Sequence, residues 1–350
     1  MGANVGLLKE LCEAFGVPGY ENEVAKIMRR ELAKHCKDVS IDRIGNVVAR
    51  RISNPKKPVI MLGAHMDEIG MIVKTINEKG FLRFMKIGGI DDRVLLNQRV
   101  VINTARGKIY GVIGNKPPHL QKEEDMKKIV ETKSMFIDIG AKDRKDAEKM
   151  GVRIGDPVGF DVGFRELANG LVTGKALDDR IGCYVLLELA RRVARDVNLI
   201  FVGTVQEEVS TYGKGAAISA YRESPAYFIA LDTCIASDHP ECTEDENPIK
   251  MNAGVGISLI EWSGRGNVAD KGLVNWLIGT AEKKKIPYQL EVVEGGSTDA
   301  AHVFNVKEGI PSVAVCVPTR YIHSNVGVLS MKDVESTIKL MESALKTAIE

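Results

Sequence analysis

The chain has 350 residues, 27% of them charged and 44% hydrophobic, with a formal net charge of +1. Such a length suits one large domain plus a smaller one, and this balance excludes a disordered chain. Near-neutral charge and an aromatic content of 5% also argue against nucleic acid or an anionic membrane as a partner. In chain order, apolar positions at Val5, Leu8, Leu11, Cys12 and Phe15 predict a first helix that Val17-Pro18-Gly19 ends. A second helix is expected over 23–35, then strands at Val39–Ile41 and Val47–Ala49 around a turn. The continuous apolar run Val59–Ala64 reads as a strand buried on both faces.

From Gly70 to Phe164 the pattern changes to short alternating segments split by turns, with one short helix at Arg144–Met150. This predicts an antiparallel β domain of residues 70–164 inserted into an α/β domain of residues 1–69 and 165–350. The polar stretch His119–Lys133 reads as a mobile loop or a short exposed helix. Beyond it, helices are expected at Ile181–Arg195, Gly213–Tyr221, Lys271–Lys284 and Met331–Ile349. Strands are expected at Asn198–Val205, Ala226–Leu231, Tyr288–Val293 and Ser312–Val317. Alternation of this kind implies a mostly parallel or mixed sheet covered by helices on both faces. Six cysteines form no C-x-x-C pair, the first residues lack a secretory signal, and no apolar run approaches the ~20 residues of a membrane span. A cytoplasmic protein with reduced thiols is the expectation.

Four of the apolar segments lead into residues that can ligate a metal. Val59–Ala64 ends at His65, and Leu199–Gln206 at Glu207-Glu208. Tyr227–Leu231 ends at Asp232, and Val313–Val317 runs on to His323. Asp178-Asp179 precedes a long helix. Sites in α/β sheets collect at the carboxyl ends of strands, so these residues are expected to converge. Imidazole with carboxylate suits Zn2+ or Co2+. Two metals ~3.5–4 Å apart need a bridging carboxylate, and Asp178 lies between the early and late ligands. His65 and Asp232 would complete one metal, Glu208 and His323 the other. Neighbours on a strand end point different ways, so Glu208 can bind while Glu207 stays free as a base for a metal-bridged water. Asp67 would orient the His65 imidazole. Taken singly, each residue is more cheaply read as a cap, a turn or a surface group; taken together they form a site.

The segments Gly63-Ala64-His65-Met66-Asp67-Glu68, Lys175-Ala176-Leu177-Asp178-Asp179-Arg180, Val205-Gln206-Glu207-Glu208-Val209, Leu231-Asp232, Gly295-Gly296-Ser297-Thr298-Asp299-Ala300 and Thr319-Arg320-Tyr321-Ile322-His323-Ser324 resemble the tetrahedral (TET) aminopeptidases, also described as glutamyl aminopeptidases and as endoglucanases. The resemblance implies a catalytic α/β domain with a PDZ-like β insertion that makes dimer contacts. It implies two Zn2+ or Co2+ ions bridged by Asp178, Glu207 as general base and Asp67 behind the ligands. It further implies six dimers in a hollow tetrahedral homododecamer that trims peptides, with the segment matching His119–Lys133 reaching toward a neighbouring subunit's site. The stretch Ser210-Thr211-Tyr212-Gly213 after Val209 departs from the family pattern, so no side-chain preference is carried over.

Two other readings stay open. A related dimetal amidohydrolase or carboxypeptidase acting on N-acyl amino acids would need a cation for the substrate carboxylate, and Arg180 or Arg320 could serve. A cage-forming assembly protein with structural metals is the non-enzyme alternative, and a glucanase is the weakest reading. Asp299 is expected behind the ligands, at the substrate amine, or as a turn-stabilising residue. Cys234 and Cys242 are expected as packing residues, and Glu261 and Arg265 as solvent-facing ones.

Overall fold

The computed structural model describes residues 4–193, 197–211, 213–347 and 349. Helices α1 (Val5–Glu13) and α2 (Asn22–Leu32) lead into strands β1 (Asp38–Ile41), β2 (Val47–Arg51) and β3 (Ile60–His65). Next come β4 (Gly70–Ile76), β5 (Leu82–Ile87), β6 (Arg99–Thr104), β7 (Gly107–Gly114), α3 (Glu123–Met126), β8 (Phe136–Asp138), α4 (Arg144–Met150) and β9 (Pro157–Phe160). The chain continues through β10 (Arg165–Glu166), β11 (Leu171–Gly174), α5 (Leu177–Arg192), β12 (Leu199–Thr204), α6 (Lys214–Glu223) and β13 (Tyr227–Ile235). It closes with β14 (Val255–Ile260), α7 (Lys271–Lys284), β15 (Tyr288–Val292), α8 (Asp299–Phe304), β16 (Ser312–Arg320), β17 (Gly327–Ser330) and α9 (Met331–Ala344). Residues 194–195 of the expected helix after Asp179, residue 348 of the expected last helix, and Tyr212 lie outside the described residues.

A large mixed sheet runs β1-β2-β12-β3-β13-β16-β17-β11-β10, and β14 pairs β16 and carries β15. Its centre, β12-β3-β13-β16, is parallel. Period-2 alternation sends each central strand's side chains to opposite faces. Leu62, Phe201, Ile229 and Val315 pack with α1, α2, α5, α7 and α9. Met61, Ile200, Phe228 and Ala314 pack with Ala216 and Ala220 of α6 and with Ala300 and Val303 of α8. Both faces are therefore covered, as the continuous apolar runs require.

Strands β4 to β9 leave this sheet and close into an antiparallel barrel, β4-β5-β8-β7-β6-β9, around its own core of Met71, Leu82, Ile102, Ile113, Ile137 and Phe160. The α1–α2 loop is wedged between the two units: Phe15 and Val17 pack against Val101 of the barrel, and the Glu68 amide donates to the Gly16 carbonyl at 2.9 Å. The stretch expected as a loop or short helix, His119–Lys133, holds the four-residue α3 between exposed turns.

Two expectations change. β13 does not stop at Leu231: it continues through Asp232 to Ile235, because β16 pairs with it as far as Thr319. Asp232 is thus inside a strand and not at its end. β14 is a strand that periodicity did not single out, fixed by its antiparallel pairing with β16.

Candidate metal centre

Parallel register sets the site. Thr204 of β12 lies opposite His65, and Ala230 of β13 lies opposite Gly63, which places Asp232 level with His65. Glu207 and Glu208 follow β12, and His323 follows β16. Asp178 enters from the first turn of α5, where its backbone is extended rather than helical.

Asp178 offers one carboxylate oxygen to each of two imidazoles. Oδ1 is 3.1 Å from His65 Nε2, and Oδ2 is 3.6 Å from His323 Nε2. His323 Nε2 is also 3.4 Å from Glu208 Oε2. Glu207 Oε2 stands 3.9 Å from His65 Nε2. Two donor sets, His65–Asp178–Glu208 and His65–Asp179–Asp232, bring their ligand atoms within 4.8 Å of one another. The seven residues singled out from the sequence are therefore brought together in one cluster, with Asp67 buried beneath it.

Backbone contacts orient the ring nitrogens. His65 Nδ1 lies 3.2 Å from the Asp67 carbonyl, and His323 Nδ1 lies 2.8 Å from the Gly89 carbonyl. A carbonyl only accepts, so each Nδ1 carries a proton, and each ring is held with its Nε2 directed at the carboxylates. The buried Asp67 carboxylate does not simply back His65: its oxygens accept the amides of Glu207 and Glu208 at 3.0 Å each, fixing both glutamates at once.

Charge is badly balanced here. Burial, reinforced by neighbouring carboxylates, pushes Asp179, Glu207, Glu208 and Asp232 well above the usual carboxylate range. Burial alone would discharge His65, but hydrogen bonds to Asp178 and Asp67 hold its pKa well above the ordinary imidazole value. Burial works against Asp178 too, and His65 and His323 still hold it below the usual range. A largely buried cluster of acids with two imidazoles fits divalent cations, which would relieve the repulsion among several carboxylates at once.

Further residues hold the ligands in place, and of these the Glu68–Lys175 pair has no role assigned from the sequence. Asp179 accepts the His65 amide at 3.0 Å and the Gly182 amide at 2.9 Å, pinning strand to helix; the Asp-Asp doublet marks it as a candidate in the sequence, but gives it no role separate from that of Asp178. Buried Glu68 pairs with Lys175 at 2.7 Å and with Arg180 at 3.4 Å beneath the ligands. Asp299 accepts from Thr204 Oγ1 at 2.6 Å, and burial raises its pKa to about 6. Glu261, expected in solvent, is buried and accepts from the amide and hydroxyl of Thr298. Cys234 is buried as expected, but Cys242 is exposed, with Sγ 3.7 Å from His239 Nε2.

A covered mixed sheet with a carboxylate–imidazole cluster on the edge of its parallel strands defines a metallohydrolase. A model of the M42 glutamyl aminopeptidase family matches residues 45–340. A lysyl aminopeptidase of Pyrococcus furiosus is 33% identical over 350 residues, covering 97% of this chain and 96% of the relative. Aminopeptidase APDkam598 of the archaeon Desulfurococcus kamchatkensis superposes with a TM-score of 0.94 at 38% identity, covering 99% and 95% of the two chains. The TET1 peptidase of Pyrococcus horikoshii, which can assemble into a tetrahedron or a large octahedral shell, superposes at 0.86 with 33% identity, covering 97% and 98%. The chain belongs to the M42 glutamyl aminopeptidase family, and it is an aminopeptidase, a peptide hydrolase of a metallopeptidase class.

Proposed function

We propose that the chain removes N-terminal residues from short peptides with two divalent ions, Zn2+ or Co2+, held by His65, Asp178, Glu208, Asp232 and His323. The observation that carries this reading is the Asp178 carboxylate, whose two oxygens face different imidazoles, as a bridge between two sites requires. His65 and Asp232 serve one ion, Glu208 and His323 the other. When bound, the ions supply Lewis acidity toward the scissile carbonyl and charge for the peptide's free amine. Glu207 takes the proton from the attacking water and returns it to the leaving amine. Asp67 holds the Glu207 backbone in place for this, through the amide it accepts. Ile69, Leu177, Thr319 and Ile322 line a small cleft beside Asp178, Glu208 and His323.

The N-acyl amidohydrolase reading is disfavoured by what its cations are doing. Arg180 is fully buried and donates to the carbonyls of Leu11, Ala14 and Gly16. Arg320 is held in a two-point pair by Asp238.

The test is Glu207→Gln. Its kcat on an aminoacyl p-nitroanilide should fall by about 10²–10⁴ while calorimetry still counts two ions per subunit. Full activity in that variant would remove Glu207 from the mechanism. Hydrolysis of an N-acetylated p-nitroanilide but not of its free-amine form would remove the aminopeptidase chemistry.

The same reading treats residues 70–164 as an inserted dimerisation unit and residues 1–69 with 165–350 as the catalytic unit. It places six dimers in a tetrahedral homododecamer, supported by the assembly of the Pyrococcus horikoshii TET1 peptidase. Location in the cytoplasm is supported by six cysteines that form no disulfide, five of them buried. No helix among the described residues is long and apolar enough to cross a membrane.

A further inference from the structure

We propose that the inserted barrel completes the metal centre, with Gly89 as a positioning residue that orients the His323 imidazole. This rests on His323 being a ligand, as set out above. His323 lies on the loop after β16, at a positive φ of 58°, and its side chain is 42% exposed. The sheet's own packing therefore holds this ring less firmly than it holds His65, which is 3% exposed. The missing support comes from the other unit. Gly88 and Gly89 follow β5 directly, and the Gly89 carbonyl accepts the Nδ1 proton of His323 at 2.8 Å. That bond selects the tautomer whose Nε2 faces Glu208 and Asp178.

Only glycine permits this approach. A methyl group on Gly89 would stand 2.8 Å from Nδ1 and 3.1 Å from Cε1 of His323. One on Gly88, at φ +85°, would meet Ile69 Cγ2 at 2.9 Å and Glu208 Oε2 at 3.4 Å. The Gly88-Gly89 backbone thus lies against both residues assigned to the second ion. Two further ties fix it there. Lys86 Nζ donates to the Ile90 carbonyl at 2.7 Å and to Asp92 at 2.6 Å, bracing the turn. Asn325 Nδ2 donates to Gln98 Oε1 of the barrel at 2.6 Å, bracing the loop two residues beyond His323. The first ion has no such dependence: His65 takes its orienting carbonyl from Asp67 of its own segment. The two sites therefore differ in which unit of the protein shapes them.

The experiment measures ion affinity of the metal-free, full-length protein by chelator competition, with Co2+ absorption as a spectroscopic readout. Wild type should bind two ions per subunit, and His323→Ala should keep one. Gly89→Ala should keep the first ion at wild-type affinity and bind the second about tenfold or more weakly, with a shifted absorption band. The melting temperature of its metal-free form should be unchanged. Gln98→Leu, which adds no atom near His323, should weaken the second ion and spare the first; it carries the test should Gly89→Ala fail to fold. Wild-type affinity for both ions in Gly89→Ala overturns the role of Gly89; in Gln98→Leu, where that variant carries the test, it overturns the barrel's part in the second site. Equal loss of both ions together with a lowered metal-free melting temperature also overturns it, since that is a general structural effect. Retention of both ions by His323→Ala overturns the ligand set itself, and the role of Gly89 with it.

Discussion

Buried acids differ in what surrounds them, and the difference sets their response to pH. Glu68 has Lys175 and Arg180 against it. Glu291 of β15 is 5% exposed, and burial raises its pKa to about 7 from 4.5. Between those values the native chain keeps the proton and the unfolded chain gives it up. Stability from this group is thus fully present below about pH 4.5 and lost as pH rises through about 7, by roughly 3 kcal/mol in all. Glu291→Gln stays neutral at every pH. Its melting temperature should exceed that of wild type at pH 8 and converge with it near pH 4.5. A constant offset at both pH values would show that Glu291 does not titrate as its burial implies.

Helices and strands with a strong period were legible in the sequence, and their boundaries depended on capping chemistry. Helix α7 begins where Asp270 accepts the Leu273 amide at 3.0 Å. Asp270→Ala should cost about 1 kcal/mol of stability, read as a lower melting temperature, with kcat unchanged. Long-range pairing was less legible. A carboxylate at Asp232 looks like a strand end, but hydrogen bonding to β16 carries the strand past it. β14 has its partner some sixty positions along the chain, so nothing local marks it. The ligand side chains were readable because their chemistry is in their identity. The carbonyl of Gly89 was not, because every residue has one, and only the fold decides which carbonyl meets His323. Asn46 is another such case: buried in a turn, it accepts the Val205 amide at 3.0 Å and donates to the Gly215 carbonyl, holding the segment that follows β12.

Across the whole molecule, four parallel strands collect the ligands at one edge, and the barrel stands over that edge. The barrel's outer face exposes Met85, Tyr110 and Val112, at 54%, 63% and 46%. As the proposed dimer contact, this face would be spoiled by a charge. Tyr110→Glu should shift the protein from large assemblies to smaller species in native mass spectrometry, while wild type stays large; an unchanged mass would place the contact elsewhere. The uneven distribution of thiols has a practical consequence. Cys242 is the single exposed cysteine, and the ring of its neighbour His239 lies tilted against that of Tyr321, centroids 5.4 Å apart, two residues before His323. A maleimide fluorophore can therefore be attached at one address in the native sequence. If ion loading at His323 reaches Tyr321 and His239, emission from that dye should change on adding Co2+ to the metal-free protein, and an unchanged signal would show that the Cys242 surface does not sense the site.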